Sequence, residues 1–495
     1  MKRSWSTFGV DLHLELEGPG RRRALERALR EAVADGRLAP GTRLPSSRTL
    51  AADLAVARNT VVDAYGQLTA EGWLLARPGS GTTVAERPLA LAREPGNSAP
   101  AAGTPAPNPA HIPVPAPATW PYDLRPGGPD LSSFPRSAWL AASRRAWSAA
   151  PDSVLGYGDP RGSAVLREAL AGYLGRARGV RTDPSRIVVC SGFTQAFGVL
   201  CGALRERGAT TVAVECYGLP ELRSIAARAG LGAVTVPVDE EGADLAPAGG
   251  AGGAGGAGGA GGAGPTGEAD AAVLTPAHQF PLGTVLSPGR RHAAVAWARA
   301  HGAVLVEDDY DGEFRYDREP LGALQALDPE HVVYAGTASK TLAPGIRLAW
   351  LALPLALVEP VAHAKLLADR HTSVPDQLTM AELIRSGAYD RHVRRRRLAY
   401  RRRRDRLMGA LAPGTVQGVS AGLHALVGLP PGATEADIVT AAAARGLALE
   451  GLDAYRAGGD VRPPALVVGY ATPADHAYRA ALRVLEDVLG SGARP

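Results

Sequence analysis

From Trp120 onward, short runs of β-branched and small apolar residues alternate with helical segments, and no other feature of the chain constrains its fold as much. RIVVCSGFTQAFGVLCGALRERG reads as strand, tight turn and helix. TVAVECYG, GAVTVPV, AAVLTPAHQF and AVLVEDDYDGEF each read as a strand running into a loop. Buried strands separated by helices predict an α/β fold built on a largely parallel sheet with helices on both faces. Such sheets bind ligands beyond the carboxyl ends of their strands, so the loops after the strands are where chemistry is expected. The chain after about Leu355 is helix-rich and is expected to form a smaller domain with the segment before Ala150.

One of these loops is GTASKTLAPGIRLAW, Gly336 to Trp350, which follows the apolar run HVVYAG. The protein has only three lysines, Lys2, Lys340 and Lys365, among 54 basic residues. In a chain that otherwise uses arginine, Lys340 points to amine chemistry, because arginine does not deprotonate in proteins. Other loops share its sheet edge. AVLVE ends in Asp308, Asp309 and Tyr310, and a buried carboxylate there would hold a heterocyclic nitrogen protonated. The turn Ser191 to Gln195, with Gly192, Phe193 and Thr194, opens a helix whose free N–H groups and dipole suit a phosphate. Thr337 and Ser339 offer hydroxyls beside Lys340, and Arg347 offers a bidentate clamp. An amine, a carboxylate, a phosphate cradle and an arginine together describe a pyridoxal phosphate site. GTASKT lacks the glycine that a P-loop places directly before its lysine.

The first 85 residues follow a different pattern. RRRALERALREAVADG places Leu25, Leu29 and Val33 on one helical stripe, closed by Asp35 and Gly36. Ser46 or Ser47 caps a short second helix through Leu54, and a third carries Val61, Tyr65 and Leu68 on one face. WLLARPGSGTTVA then reads as a hairpin with a glycine-rich tip. Three helices and a hairpin make a winged helix-turn-helix, a fold that turns its helix starts and wing toward DNA. Those positions hold Arg43, Ser46, Ser47, Arg48, Arg58, Asn59, Thr60, Arg77, Ser80 and Thr82. Residues 1–85 carry twelve basic and nine acidic side chains, so placement argues for DNA better than bulk charge does. PGTRLPSSRTLAADLAVARNTVVDAYGQLTAEGWL resembles the GntR-type winged helix along its full length. That resemblance implies operator double-stranded DNA as a partner.

Residues 86–119 are rich in proline and alanine and read as an extended linker, which makes 120–495 the cofactor-binding domain. The Gly/Ala run at 248–264 reads as a surface insertion without chemistry. Cys190, Cys201 and Cys216 lack a metal or redox spacing, so no metal site is expected and a reducing cytoplasm is favoured. No apolar run suits a signal peptide or a membrane span.

LGYGDPRG, SGFTQAF, TPAHQFPLG, VEDDYDGEFRY and GTASKTLAPGIRLAW, followed by GAYDRHVRRRRLAYRRRRDRL, resemble the MocR/GabR family, GntR-type regulators fused to a fold-type I aminotransferase-like domain. The resemblance implies that Lys340 forms the Schiff base, Asp308 pairs with the pyridine nitrogen and Tyr310 reaches the ring hydroxyl. It also implies that Thr337, Arg347 and the Phe193–Thr194 turn hold the phosphate, and that Tyr157 serves the neighbouring subunit of a head-to-tail homodimer. The expected function is a pyridoxal phosphate-dependent transcriptional regulator that senses the cofactor or an amine effector. The alternative is an active aminotransferase with an accessory DNA-binding domain.

Three departures from the aminotransferase pattern bear on that choice. FPLG from Phe280 replaces NPTG, Leu219 stands where relatives often show tyrosine with Tyr217 two residues earlier, and Val467 aligns with a carboxylate-binding arginine, with Arg462 five residues before it. These weaken the case for turnover of an amino acid and leave cofactor binding largely intact. The cluster Arg391 to Arg406 reads either as a second DNA surface or as a solvated helix with some ion pairs.

Overall fold

The computed structural model describes residues 21–70, 73–77, 81–85, 120–245, 269–316, 321–458 and 461–491. The chain divides into two compact units, residues 1–104 and 105–495. The expected linker at 86–119 and the Gly/Ala run at 248–264 lie outside the described residues.

In the first unit, α1 (Arg21–Ala34), α2 (Ser47–Asp53) and α3 (Arg58–Ala70) precede a hairpin of β1 (Leu74–Arg77) and β2 (Gly81–Val84). Leu25, Leu29 and Ala32 of α1 are buried against Leu50 of α2 and Val61, Ala64 and Leu68 of α3. Each such leucine contributes roughly 1.5–3 kcal/mol by leaving water. Ser46 caps α2 by accepting from the Thr49 N–H at 3.2 Å, and the Tyr65 hydroxyl of α3 donates to Pro45 O at 3.0 Å. The α1–α3 packing is thereby locked to the turn that opens α2. The hairpin is antiparallel, with Leu74 opposite Val84 and Arg77 opposite Gly81. These elements form the winged helix-turn-helix expected from the sequence.

The second unit opens with β3 (Tyr122–Asp123), α4 (Arg136–Ala149) and α5 (Ala164–Arg178). Next come β4 (Ile187–Cys190), α6 (Phe193–Glu206), β5 (Thr211–Glu215), α7 (Glu221–Arg228), β6 (Gly232–Val236) and the short pair β7 (Val238–Asp239) and β8 (Gly242–Ala243). β9 (Ala271–Leu274), α8 (Pro288–His301), β10 (Val304–Asp309), β11 (Val332–Thr337) and β12 (Ala349–Ala352) come after them. α9 (Leu355–Asp369), α10 (Val374–Arg385) and α11 (Ala388–Ala410) then precede β13 (Val416–Gln417), β14 (Ala425–Gly428), α12 (Glu435–Ala444), β15 (Leu447–Ala448), β16 (Ala465–Val468) and α13 (Asp475–Ser491).

Seven strands make one sheet in the order β4-β12-β11-β10-β9-β5-β6, parallel except for β12, which runs antiparallel to β11 and β4. Helices cover both faces, which is why β4, β9 and β12 are buried at every residue. Residues 338–348 link β11 to β12, so Lys340 sits in the loop leaving the carboxyl end of β11. Gly336 lies opposite Trp350, and a Cβ there would overlap the indole ring. Among the described residues no helix is long and apolar enough to cross a membrane.

The expectation for the smaller domain needs correction. β3 pairs with β15, and Leu124 shares a core with Tyr400, Leu407, Val427, Val468 and α13. However, α9 packs on the sheet with α6, and α10 packs with α4 and α5. Leu378, Met380, Ala381, Leu383 and Ile384 are all buried, leaving α10 almost no polar face, and a helix of that kind belongs inside the main core. The smaller α+β domain therefore keeps β3 and Leu124 from the earlier segment and otherwise begins within α11.

Candidate functional site

A cavity of about 510 Å³ opens at the carboxyl ends of the central strands. Lys340, Asp308, Tyr310, Thr337, Ser339, Arg347, Phe193 and Thr194 all line it, so the structure gathers residues 193–347 of the predicted set at one place. The Lys340 amine turns inward and donates to Gly127 O. Burial lowers the affinity of this amine for its proton, and the carboxylates of Asp308 and Asp311 partly restore it. A lysine tuned in this direction has more of the neutral, nucleophilic form than one in water.

Strand alternation decides between the two carboxylates at the end of β10. Asp309 faces away from the cavity, where the Arg178 guanidinium grips it at 2.6 and 2.9 Å and the Tyr334 hydroxyl donates at 2.7 Å. Glu307, on the same side, accepts from the backbone N–H groups of Leu324 and Gln325. Asp308 points the other way, into the cavity, and among the described residues no hydrogen bond occupies its carboxylate. Burial pushes its pKa well above the usual range, the Lys340 ammonium opposes this, and Asp309, Asp311 and Glu215 add to the rise. A cationic heterocycle placed against Asp308 would relieve that strain. Burial likewise raises Glu215 to about 7, although Thr275 and Gln279 donate to it.

At the other end of the cavity, Gly192 caps α6 with φ of 91° and no side-chain cap, leaving the first-turn N–H groups of Phe193 and Thr194 facing outward. Arg347 adopts a left-handed φ of 51° and donates from Nη2 to Ser191 O at 2.7 Å. A Cβ on Gly192 would overlap that guanidinium, so glycine is required by the close approach as well as by φ. The Thr337 and Ser339 hydroxyls bond each other at 2.9 Å, and the Ser339 N–H donates to Thr337 Oγ1 at 3.1 Å. The donor set thus fits pyridoxal phosphate: an amine, a buried carboxylate for the ring nitrogen, and a helix start with an arginine and hydroxyls for the phosphate.

Tyr310 donates to His278 O at 3.0 Å and lies 3.2 Å from His278 Nδ1, which also faces Asp311 at 2.9 Å. His278, Asp311 and His424 are buried, with donor atoms within 4.8 Å of one another. None of the three was singled out in the sequence, although TPAHQF ends a strand at the same edge. Gln195 was also missed as a support: its Oε1 accepts from the Ser191 N–H at 2.6 Å and its Nε2 donates to Asp369 at 2.6 Å. Asp369 in turn pairs with the buried Lys365. Of the departures, the Phe280 ring walls the cavity, edge-on to Tyr310 and Tyr455. Arg462 is not at the cavity. Its Nη2 donates to Val238 O at 2.6 Å, and Val467 is buried in β16. Tyr157 is 82% exposed, outside this cavity, with the Arg370 guanidinium 4.5 Å above its ring.

In the first unit Arg43, Arg48, Arg58 and Asn59 are exposed, at the approach to α2 and the starts of α2 and α3. Ser46 is engaged as the α2 cap, Ser47 and Thr60 are half-buried in the first turns, and Thr82 lies on β2. Arg77 ends β1, and Ser80 lies outside the described residues. The Arg391–Arg406 cluster divides. Arg403 is buried and holds Asp130 and Asp475 at 2.8 and 2.7 Å, and Arg397 donates to Glu313 O, whereas Arg391, Arg394, Arg395, Arg401, Arg402 and Arg406 are exposed.

Residues 21–84 match the family described as bacterial regulatory proteins, gntR family, and residues 128–445 match aminotransferase class I and II. The chain is 32% identical over 477 residues to the HTH-type pyridoxine biosynthesis transcriptional regulator PdxR of Corynebacterium glutamicum, covering 94% of this chain and 96% of the relative. It is 32% identical over 392 residues to the probable rhizopine catabolism regulatory protein MocR of Rhizobium meliloti, covering 77% and 75%. Among solved structures, an archaeal alanine:glyoxylate aminotransferase superposes with a TM-score of 0.65 at 22% identity, covering 76% of this chain and 92% of that one. LysN, the α-aminoadipate aminotransferase of Thermus thermophilus, gives 0.62 at 24%, covering 75% and 92%. These two likenesses define the fold of the second unit.

Proposed function

The chain belongs to the MocR/GabR family, DNA-binding transcriptional regulators that join a GntR winged helix to an aminotransferase-like domain, and on that premise we propose that it binds pyridoxal phosphate through Lys340 and senses the cofactor or an amine. The observation that carries the reading is the convergence of Lys340, Asp308, Arg347 and the Phe193–Thr194 start of α6 on one cavity. Bound there, the cofactor supplies an aldehyde that condenses with amines and a ring that accepts electron density.

The chain's own residues supply the rest. Lys340 presents an amine whose proton affinity is lowered by burial. Asp308 would hold the ring nitrogen protonated, and Tyr310, whose hydroxyl donates to His278 O, would serve the ring hydroxyl. Arg347, Thr337, Ser339 and the start of α6 would hold the phosphate. Tyr157, exposed in one chain, is assigned to the site of a second copy in a homodimer. Arg43, Ser47, Arg48, Arg58, Asn59 and Thr60, with Arg77, Ser80 and Thr82 of the wing, are assigned to operator DNA, with Ser46 holding the helix start.

The departures support sensing over turnover. Phe280 replaces a polar contact to the cofactor, and Arg462 is turned away from the cavity where a substrate carboxylate would sit. The test is equilibrium binding of pyridoxal phosphate to the full chain and to Lys340→Ala, followed by the visible absorbance of the linked cofactor. Wild type is expected to develop that absorbance and the variant to lack it; equal absorbance in both would overturn the assignment of Lys340.

A further inference from the structure

The rim of the cavity carries a charge pattern that the cofactor leaves unused. Glu450, just after β15, and Glu221, which opens α7, both line it. The Tyr455 hydroxyl donates to one oxygen of Glu450, and Phe280 packs edge-on against the Tyr455 ring at 5.0 Å. The backbone of Glu450 is fixed to the small-domain sheet through the Val467 N–H, at 2.9 Å. The position from which an arginine would read a carboxylate is therefore a buried valine, and its backbone holds a glutamate at the cavity.

The nearby arginines are mostly engaged. Arg125 closes both arms of its fork on Asp123 at 3.0 and 2.7 Å, and Arg462 is bound to Val238 O. Arg347 faces the phosphate end. Among the described residues only Arg223 shares the rim with the two glutamates, with one Nη donating to Ala457 O at 2.9 Å. Leu219, Phe280 and Leu423 give the lining an apolar share, beside the polar side chains of Thr275, Tyr310 and His424. A chain of methylenes leaves water by packing on the three apolar side chains.

We infer that the effector is a cation with two amines, one presented to the Lys340 end and the second, as an ammonium, held by Glu450 and Glu221. This rests on the cofactor-site reading above and names the class of ligand that the site selects. Charge-assisted hydrogen bonds from one ammonium to the half-buried Glu450 and the exposed Glu221 favour such a ligand over one ending in a methyl or a carboxylate by about tenfold. The carboxylate adds like-charge repulsion to the missing bond.

The test uses the full-length holo-protein, titrated with putrescine, butylamine and γ-aminobutyrate, which share a four-carbon chain and differ at the far end. Affinity is read by calorimetry and by the change in cofactor absorbance, for wild type and for Glu450→Gln, Glu221→Gln and Arg223→Gln. The expected result is that putrescine binds at least tenfold more tightly than the other two, and that this preference shrinks in both glutamate variants and survives Arg223→Gln. Cofactor absorbance in each sample reports an assembled pocket, and Glu450→Gln retains an acceptor for Tyr455. If γ-aminobutyrate binds as tightly as putrescine and loses affinity in Arg223→Gln, the site reads a carboxylate and the inference is wrong. Equal affinity for butylamine and putrescine would also overturn it. In both cases the cofactor reading stands, whereas absence of any cofactor absorbance in wild type would overturn the cofactor reading and this inference together.

Discussion

Asp308 and Asp309 are neighbours in one strand, and exchanging each for asparagine should produce opposite effects. Asp309 is fully enclosed with Arg178, which has 2% exposure and also donates to Gly312 O. Asp309→Asn leaves a buried guanidinium without its counter-charge, which costs about 3–5 kcal/mol. Asp308 is buried without such a partner, and neighbouring carboxylates raise its pKa further, so Asp308→Asn removes a repulsive charge. The apo-protein is then expected to keep or gain stability. Cofactor affinity should fall instead, by about tenfold to a hundredfold, the worth of a charge-assisted bond of roughly 1.5–3 kcal/mol. Denaturant unfolding of the apo-protein, followed through the second unit, separates the first effect, and equilibrium titration with pyridoxal phosphate separates the second. If Asp308→Asn destabilises the apo-protein as much as Asp309→Asn does, or binds the cofactor with unchanged affinity, the division of roles is wrong.

Three further outcomes are expected. Gly192→Ala meets both an unfavourable φ and the Arg347 guanidinium, and should weaken cofactor binding by about tenfold or more, measured by the same titration. Arg58→Ala should weaken operator binding and reduce the slope of log affinity against log salt by about 1, while leaving cofactor absorbance intact. His392 is buried against Thr341 O, and burial lowers its pKa from 6.5 to about 4. It is held neutral in the folded state, so its contribution is complete above the unfolded pKa and is lost as pH falls from about 6.5 toward 4. The loss is roughly 3 kcal/mol. The pH dependence of the denaturant midpoint should therefore be shallower across that window in His392→Gln than in wild type.

Periodicity carried the sequence reading where one face of an element is buried and the other exposed. Leu25, Leu29, Val61 and Leu68 revealed the winged helix in this way, and continuous apolar runs revealed the central strands. The loops at the strand ends were legible because Lys340, Asp308 and Arg347 carry chemistry that their position in an α/β sheet explains. Helix α10 was misassigned because its sequence shows composition and not the surface it packs against; burial on nearly all sides became visible only with α4 and α5 in place. The roles of Gln195 and His278 depend on partners 174 and 32 residues away, in the Gln195–Asp369 and His278–Tyr310 bonds. No local spacing encodes such pairs. The arginine run on α11 shows the same limit, since Arg403 and Arg402 are identical in sequence terms yet one is buried on Asp130 and the other exposed.

The central claim is that occupancy at Lys340 alters DNA binding, and no ligand can shift that equilibrium beyond its differential affinity for the two arrangements. The most direct measurement is operator affinity and footprint for apo-protein, cofactor-loaded protein and cofactor-loaded protein with a saturating amine, with Lys340→Ala alongside. The account predicts that affinity or footprint differs among the three wild-type states and that Lys340→Ala behaves as apo-protein throughout. Identical affinity and footprint in all states would contradict it.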